Sequence, residues 1–264
     1  MILSSPGETA FYIFGFPVYF YGITMAAAVL VCIVTAYFLY GRFYGKKNAE
    51  YIIDFSPYLI VIGILGARLY YCLLNFGYYA ARPLEILDIR QGGLSVHGMI
   101  IVCIAALWGF AKFYKIPVLK LMDVFACGTV LGQSIGRWGN FFNSEAFGAP
   151  ADFALKLFIP IEKRPYMYLD NEYFHPAFLY ESVLDFLIFI LLLLLFRRLS
   201  KHAGMTACFY LILYSAARIF VEHFRLDSVL NIGGFPAAQV VSAVIITAAL
   251  ISMPFIYKSG QQYS

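Results

Sequence analysis

The sequence predicts an all-α integral membrane bundle of about seven transmembrane helices. The N-terminus is expected outside, the C-terminus in the cytoplasm, with a small extracytoplasmic cap. Three observations predict this. Of 264 residues, 62% are hydrophobic and 13% charged, whereas a soluble chain is roughly half apolar and about a quarter charged. A buried core cannot absorb that excess, so lipid must solvate much of the surface. The apolar residues gather into stretches long enough to cross a bilayer, which takes about 20 helical residues. The connections between them are basic at every second position.

Candidate spans are about 18–40, 52–74, 97–113, 121–136, 177–196, 205–222 and 235–257. The third and fourth are short and glycine-bearing, so one of them is expected to be tilted, broken or re-entrant. Arg42, Lys46 and Lys47 follow the first span, and Lys112, Lys115 and Lys120 separate the third from the fourth. Arg197, Arg198 and Lys201 follow the fifth, and Lys258 follows the seventh. The positive-inside rule makes these connections cytoplasmic, and seven spans fit the resulting parity. Residues 1–17 lack the basic region and cleavage site of a signal peptide, so the first span is expected to stay. The whole chain, 1–264, reads as one membrane domain with extracytoplasmic segments at about 75–96 and 138–176. The net charge of +4 does not call for nucleic acid. The five cysteines lie in apolar stretches without CxxC or Cys/His spacing, so no metal site is expected.

Polar residues in these spans stand out, because an Arg or Asp near a helix centre costs about 2.5 to 3.5 kcal/mol on insertion scales. Arg68, in GILGARLYY, is expected either to snorkel to the outer interface or to pair with a buried acid. QGGLSVHG, Gln91 to Gly98, places His97 near the start of the third span, where a neutral imidazole can accept a proton. GRWGNFFNSEAFG packs Arg137, Asn140, Asn143, Ser144, Glu145 and the final Gly148 behind an apolar helix. Gly128, Gly132 and Gly136, spaced by four, would let another helix approach closely. An Arg at such a helix end offers a planar fork that matches phosphate bidentately, and the Asn amides can donate to ester or phosphate oxygens. Glu145 can fix the Arg or act as a base. Gly-Ala-Arg at 66–68 and Gly-Arg at 136–137 end two spans of the same direction, a faint internal parallel. In the sixth span, Tyr214, Arg218, Glu222 and Arg225 share one helix face, which must look into protein or a wet cavity. Arg218–Glu222 reads as a structural ion pair or as a second cation for a phosphate. Together these residues suit displacement of a phosphate from a phospholipid, with arginines stabilising the charge that gathers as it leaves.

GRWGNFFNSEAFG also resembles the signature of prolipoprotein diacylglyceryl transferases. FYG at 20–22, GARL at 66–69, QGGLSVHG at 91–98, HPAFLYES at 175–182 and ARIFVEHFR at 217–225 follow in the family's order. Ser144 stands where many members have glycine. The resemblance implies transfer of the diacylglyceryl group of phosphatidylglycerol to the lipobox cysteine of a prolipoprotein, with glycerol phosphate leaving and no cofactor. It implies a multi-pass protein of the bacterial cytoplasmic (inner) membrane with its site toward the outer leaflet. Arg137 and Arg218 would hold the phosphate, Asn140 and Glu145 shape the headgroup site, and Tyr21 and Tyr214 line the lipid or peptide path. Glu222 would orient Arg218, while Arg68, Asn143 and Gly148 count among the substrate-binding positions. His97, Glu145 or water would take the thiol proton. A membrane transporter with a buried charge cluster is the competing reading, although no convincing inverted repeat accompanies the cluster.

Overall fold

A computed structural model describes residues 1–89, 92–226, 231–232 and 234–261; Gln91 of the QGGLSVHG motif lies outside them. Among these described residues, seven helices are long and apolar enough to cross a membrane. They are α1 (Phe20–Phe43), α2 (Lys46–Leu74), α4 (Val96–Phe113), α5 (Val118–Phe142), α6 (Ala177–Leu199), α7 (Met205–Glu222) and α8 (Ala237–Gln261). A short helix, α3 (Phe76–Ala81), follows α2. The chain forms two compact units, Met1–Ala36 with Met122–Ser264, and Tyr37–Leu121.

The boundaries differ from the hydropathy reading where polar residues find protein partners. Helix α5 is neither short nor broken. It runs 25 residues, past Gly136 and through Arg137 and Asn140, because a helix continues through polar side chains once they face protein instead of lipid. Helix α2 begins at Lys46, its first turns too polar to register in a hydropathy window. Helix α1 begins at Phe20, because the preceding residues, Phe16–Tyr19, form a β-strand.

In the first unit, α5 packs antiparallel on α1. A Cβ at Gly128 would stand 2.4 Å from the Cys32 carbonyl oxygen, and one at Gly132 2.8 Å from that of Ala28. One at Gly139 would stand 2.8 Å from the Thr24 hydroxyl and Tyr21 ring. The expected small-residue seam therefore exists, with Gly139 continuing it where Gly136 meets only Met25 at an ordinary 3.5 Å. Two polar links fix α5 against its other neighbours. Ser134 and Ser182 are buried and donate to each other's carbonyl oxygens, both at 2.8 Å, tying α5 to α6. Asp123 is fully buried and accepts from the backbone N–H groups of Gly204 (2.7 Å) and Ala207 (2.9 Å) at the start of α7. A carboxylate there satisfies orphan donors and meets the positive end of the helix dipole.

Residues 143–176 build a small cap. β4 (Lys156–Phe158) pairs in parallel with β1 (Ile2–Leu3) and antiparallel with β5 (Tyr173–Phe174). Leu157, Ile159 and Phe174 form a core with Phe141 of α5 and Phe178 of α6. The cap core thus grips both helices within a turn of residues 137 and 181. Separately, β2 (Thr9–Ile13) and β3 (Phe16–Tyr19) form an antiparallel hairpin, and β6 (Asn231–Ile232) pairs with β7 (Phe235–Pro236) before α8.

In the second unit, α2 packs on α4. A Cβ at Gly66 would meet Val102 at 2.7 Å, and one at Gly98 would meet the Gly66 carbonyl at 2.4 Å. The glycines of GARL and of the motif's end are therefore contact points between helices.

Candidate active site

The arginines that the sequence singles out in the first unit converge on a residue it did not single out. Glu181 of α6 is 5% exposed and stands at the centre of three guanidinium groups. Arg137 of α5 approaches with Nε 2.5 Å from Oε2. Arg218 of α7 meets Oε1 through Nη1. Arg225, just beyond α7, places Nη1 3.3 Å from the same oxygen. The Arg137 contact is an ion pair without hydrogen-bond direction, since Glu181 Oε2 makes no hydrogen bond among the described residues. Arg218 turns its other amino group to Glu222, Nη2 to Oε2 2.8 Å, one helical turn away. The expected Arg218–Glu222 pair is thus present, as one edge of a larger cluster.

Charge and exposure decide what this cluster can do. Among the described residues, Arg137, Arg218 and Arg225 gather on Glu181, and Arg218 also meets Glu222. The carboxylates are nearly sealed, at 5% and 3%, while the Arg137 and Arg218 side chains keep 22% and 20% exposure. The buried acids hold the cations in place, and the cations present the accessible surface. Asp185, one turn along α6, is 2% exposed and lies within electrostatic reach of Arg137, Arg218 and Glu181. Its Oδ2 makes no hydrogen bond among the described residues. Tyr214 stands beside Arg137 and stacks on Tyr210, whose hydroxyl donates to Gln133 at 3.0 Å.

The rest of GRWGNFFNSEAFG turns the chain from α5 into the cap. Glu145 does not hold Arg137, which Glu181 does. Its exposed carboxylate takes the Asn143 amide at 3.3 Å, and its backbone N–H donates to the Asn140 carbonyl at 2.9 Å. Asn140 is half-buried one turn beyond Gly136. Ser144 has φ 53°, a left-handed conformation in which a glycine would carry no Cβ penalty. Gly148 donates to the His175 carbonyl at 2.8 Å and pairs with Arg225, and a Cβ on it would stand 2.4 Å from the Phe224 carbonyl. Its part is to let two backbones meet so that Arg225 reaches Glu181. Tyr21 and Asn143 line an open groove of about 700 Å³ with Pro17, Val18, Tyr19 and Gly22.

In the second unit, Arg68 is 5% exposed, yet it does not snorkel, and among the described residues it pairs with no acid. Its five N–H donors all go to backbone carbonyls. Nε donates to Ile86 (2.9 Å), Nη1 to Gly92 (2.9 Å) and Gly93 (3.1 Å), and Nη2 to Glu85 (2.5 Å) and Asp88 (3.1 Å). A fork saturated in this way organises the loop before α4 and has no donor left for a phosphate, which corrects its expected place among substrate-binding residues. Gly93, at φ 72°, has no room for a Cβ beside that guanidinium, which would be 2.5 Å away. His97 is exposed in the first turn of α4, its ring centroid 6.5 Å from that of Tyr70.

Residues 8–255 match the family description "Prolipoprotein diacylglyceryl transferase". The chain belongs to that family. A relative from Synechococcus elongatus, named phosphatidylglycerol–prolipoprotein diacylglyceryl transferase, is 46% identical over 96% of this chain and 89% of its own. Relatives of the same name from another Synechococcus strain and from Trichormus variabilis are 40% and 41% identical, each over 97% of this chain and over 95% and 92% of their own. The transporter reading finds no support in these matches. Glu181 lies within HPAFLYES, so the signal that could have found it was a pair of acids one turn apart, Glu181 and Asp185, in a largely apolar helix.

Proposed function

We propose that this chain transfers the diacylglyceryl group of phosphatidylglycerol to the lipobox cysteine of prolipoproteins, the first step of lipoprotein maturation. The observation that carries the proposal is the cluster of Arg137, Arg218 and Arg225 on one buried carboxylate, in a chain of this family. The cysteine sulfur attacks the glyceryl methylene carbon that bears the phosphodiester oxygen. A C–S bond forms, the C–O bond breaks, and its electron pair leaves on glycerol phosphate. Arg137 and Arg218 receive the phosphate and stabilise the charge developing on the departing oxygen. Glu181 and Glu222 hold the two forks, and Asn140, Asn143, Glu145, Tyr21 and Tyr214 shape the path of headgroup and peptide. Only a few per cent of a cysteine with pKa near 8.5 is thiolate at neutral pH, so a base is needed, and His97 is the residue proposed for it. The protein works in the bacterial cytoplasmic membrane, N-terminus outside, with this cluster toward the outer leaflet. The basic last turns of α1, α4, α6 and α8 support that orientation.

The test is turnover by the purified protein with phosphatidylglycerol and a lipobox peptide bearing one cysteine. A gain of diacylglyceryl mass that needs the thiol, matched by released glycerol phosphate, supports the reading. Lipid and peptide both left intact, in detergent and in nanodiscs, would refute it.

A further inference from the structure

The distal part of the β2–β3 hairpin, beyond its half-buried base at Thr9, Ala10 and Val18, is not covered by any of the described residues. Residues 11–17 are all exposed, so neither face of the ribbon is covered. What it exposes is aromatic and aliphatic: Phe11, Tyr12, Ile13, Phe14 and Phe16. An amphipathic strand pair would alternate apolar and polar residues to serve one core face, and this ribbon does not. No charged residue occurs between Glu8 and Arg42.

The turn sharpens the point. Phe14 and Gly15 both have positive φ, 49° and 84°, as in the tight hairpin turns that favour Asn-Gly. Phenylalanine is a poor residue for that backbone, and here it is 98% exposed. In water this would combine backbone strain with a bare aromatic ring. An isolated two-stranded hairpin is also marginal in water. In lipid the same residues gain burial.

Connectivity fixes the depth. β3 ends at Tyr19 and α1 begins at Phe20, so the ribbon continues directly into the lipid-facing side of a membrane span, where Ile23 and Leu30 are exposed. Among the described residues its sheet has two strands, so its outer edges find no strand partner there. Unpaired backbone groups are not tolerated in the hydrocarbon core. The headgroup region supplies hydrogen-bond partners and suits Tyr and Phe. At the base of the ribbon, Glu8 accepts from Lys163 of the cap at 2.7 Å, a charged pair that marks the watery side.

We propose that the hairpin is a membrane-surface anchor, with Phe14 and its aromatic neighbours seated at the headgroup–acyl boundary of the leaflet at the N-terminal end of α1. The anchor adds a lipid contact outside the seven spans and holds the entrance to α1, where Tyr21 lies, at a fixed depth.

Spin-label accessibility tests the placement independently of turnover. A nitroxide is attached at Phe14→Cys, in the full chain with its native cysteines replaced by alanine, in phosphatidylglycerol-containing nanodiscs. Asp152→Cys serves as the water reference and Leu30→Cys as the hydrocarbon reference. The label at 14 should be several-fold less accessible to a water-soluble nickel chelate than that at 152, and less accessible to oxygen than that at 30. Nickel access equal to that at 152 would put the tip in water and overturn the proposal. Oxygen access equal to that at 30 would put it in the hydrocarbon core, and protection from both reagents would mean a protein covers it; either overturns it too. Phe14→Asn suits the turn and should leave the fold intact in detergent. In nanodiscs it should raise amide exchange across 9–19 several-fold, and unchanged exchange would count against lipid anchoring.

Discussion

Arg68 and Arg137 each follow a small residue near the end of an apolar helix, in sequences similar enough to hint at an old repeat. Their environments have little in common. Arg68 spends all five donors on neutral backbone carbonyls of one loop. Arg137 faces a carboxylate shared with two further arginines and keeps 22% of its side chain exposed. A saturated guanidinium is a structural knot; a partly exposed guanidinium held by a buried acid at the edge of a cationic cluster is the arrangement that the proposed phosphate-binding role would use. Motif resemblance gives both residues the same standing, and only their partners separate them.

The comparison can be broken by substitution. The largest effect is expected for Arg137→Ala, which should cut turnover at least about 10³-fold, roughly 4 kcal/mol of transition-state stabilisation, and should also lower the melting temperature, because the buried Glu181 Oε2 loses its ion-pair contact. Near-normal kcat in the lipid assay would remove Arg137 from the chemistry. Next comes Glu181→Gln, which keeps the shape and frees the cluster of a counter-charge. Turnover should fall about 10²-fold while glycerol phosphate inhibits more strongly, because three less-restrained cations bind a product anion better. A fall in stability with unchanged product inhibition would leave Glu181 a purely structural role. Arg68→Ala strands five carbonyls and should cost about 3 kcal/mol of stability. Activity should return below the lowered melting temperature. A kcat loss without a stability loss would instead make Arg68 part of the chemistry.

Smaller effects sharpen the scaffold side of the contrast. Gly128→Ala pushes a methyl against the Cys32 carbonyl and should destabilise the α1–α5 seam by about 1 to 3 kcal/mol, read as a lower unfolding temperature in detergent. Gly136→Ala, with ordinary contact distance, should be nearly silent. The smallest effect belongs to Glu8→Gln. The hydrogen bond from Lys163 to Glu8 raises the ammonium above its ordinary value. The pair's contribution is therefore full below that ordinary value and fades as pH rises through the raised one. Both side chains are more than two-fifths exposed, so screening should hold the effect to about 0.5 kcal/mol or less at neutral pH. A wild-type-to-Gln stability difference that grew as pH rose through the lysine range would contradict this sign.

The sequence by itself determined the number and place of the spans and the residues worth watching. Seven apolar stretches correspond to seven spanning helices, because transfer into lipid is close to a sum over neighbouring residues and needs no knowledge of the fold. Arg137, Arg218 and Glu222 were legible for the same reason: a charge in an apolar helix is locally anomalous. Helix ends were less legible, since α5 continues through Arg137 and Asn140 only because α6 and the cap cover them.

What pairs with what was decided by tertiary structure alone. Glu181 is 44 residues from Arg137 and 37 from Arg218 in sequence, and becomes their shared partner only through the registers of three helices. The Ser134–Ser182 exchange, the Asp123 cap on α7 and the cap core on Phe141 and Phe178 set those registers. The saturation of Arg68 likewise depends on how one loop folds back. Hydropathy acts residue by residue, but an ion pair depends on distance and direction between segments that no local pattern encodes.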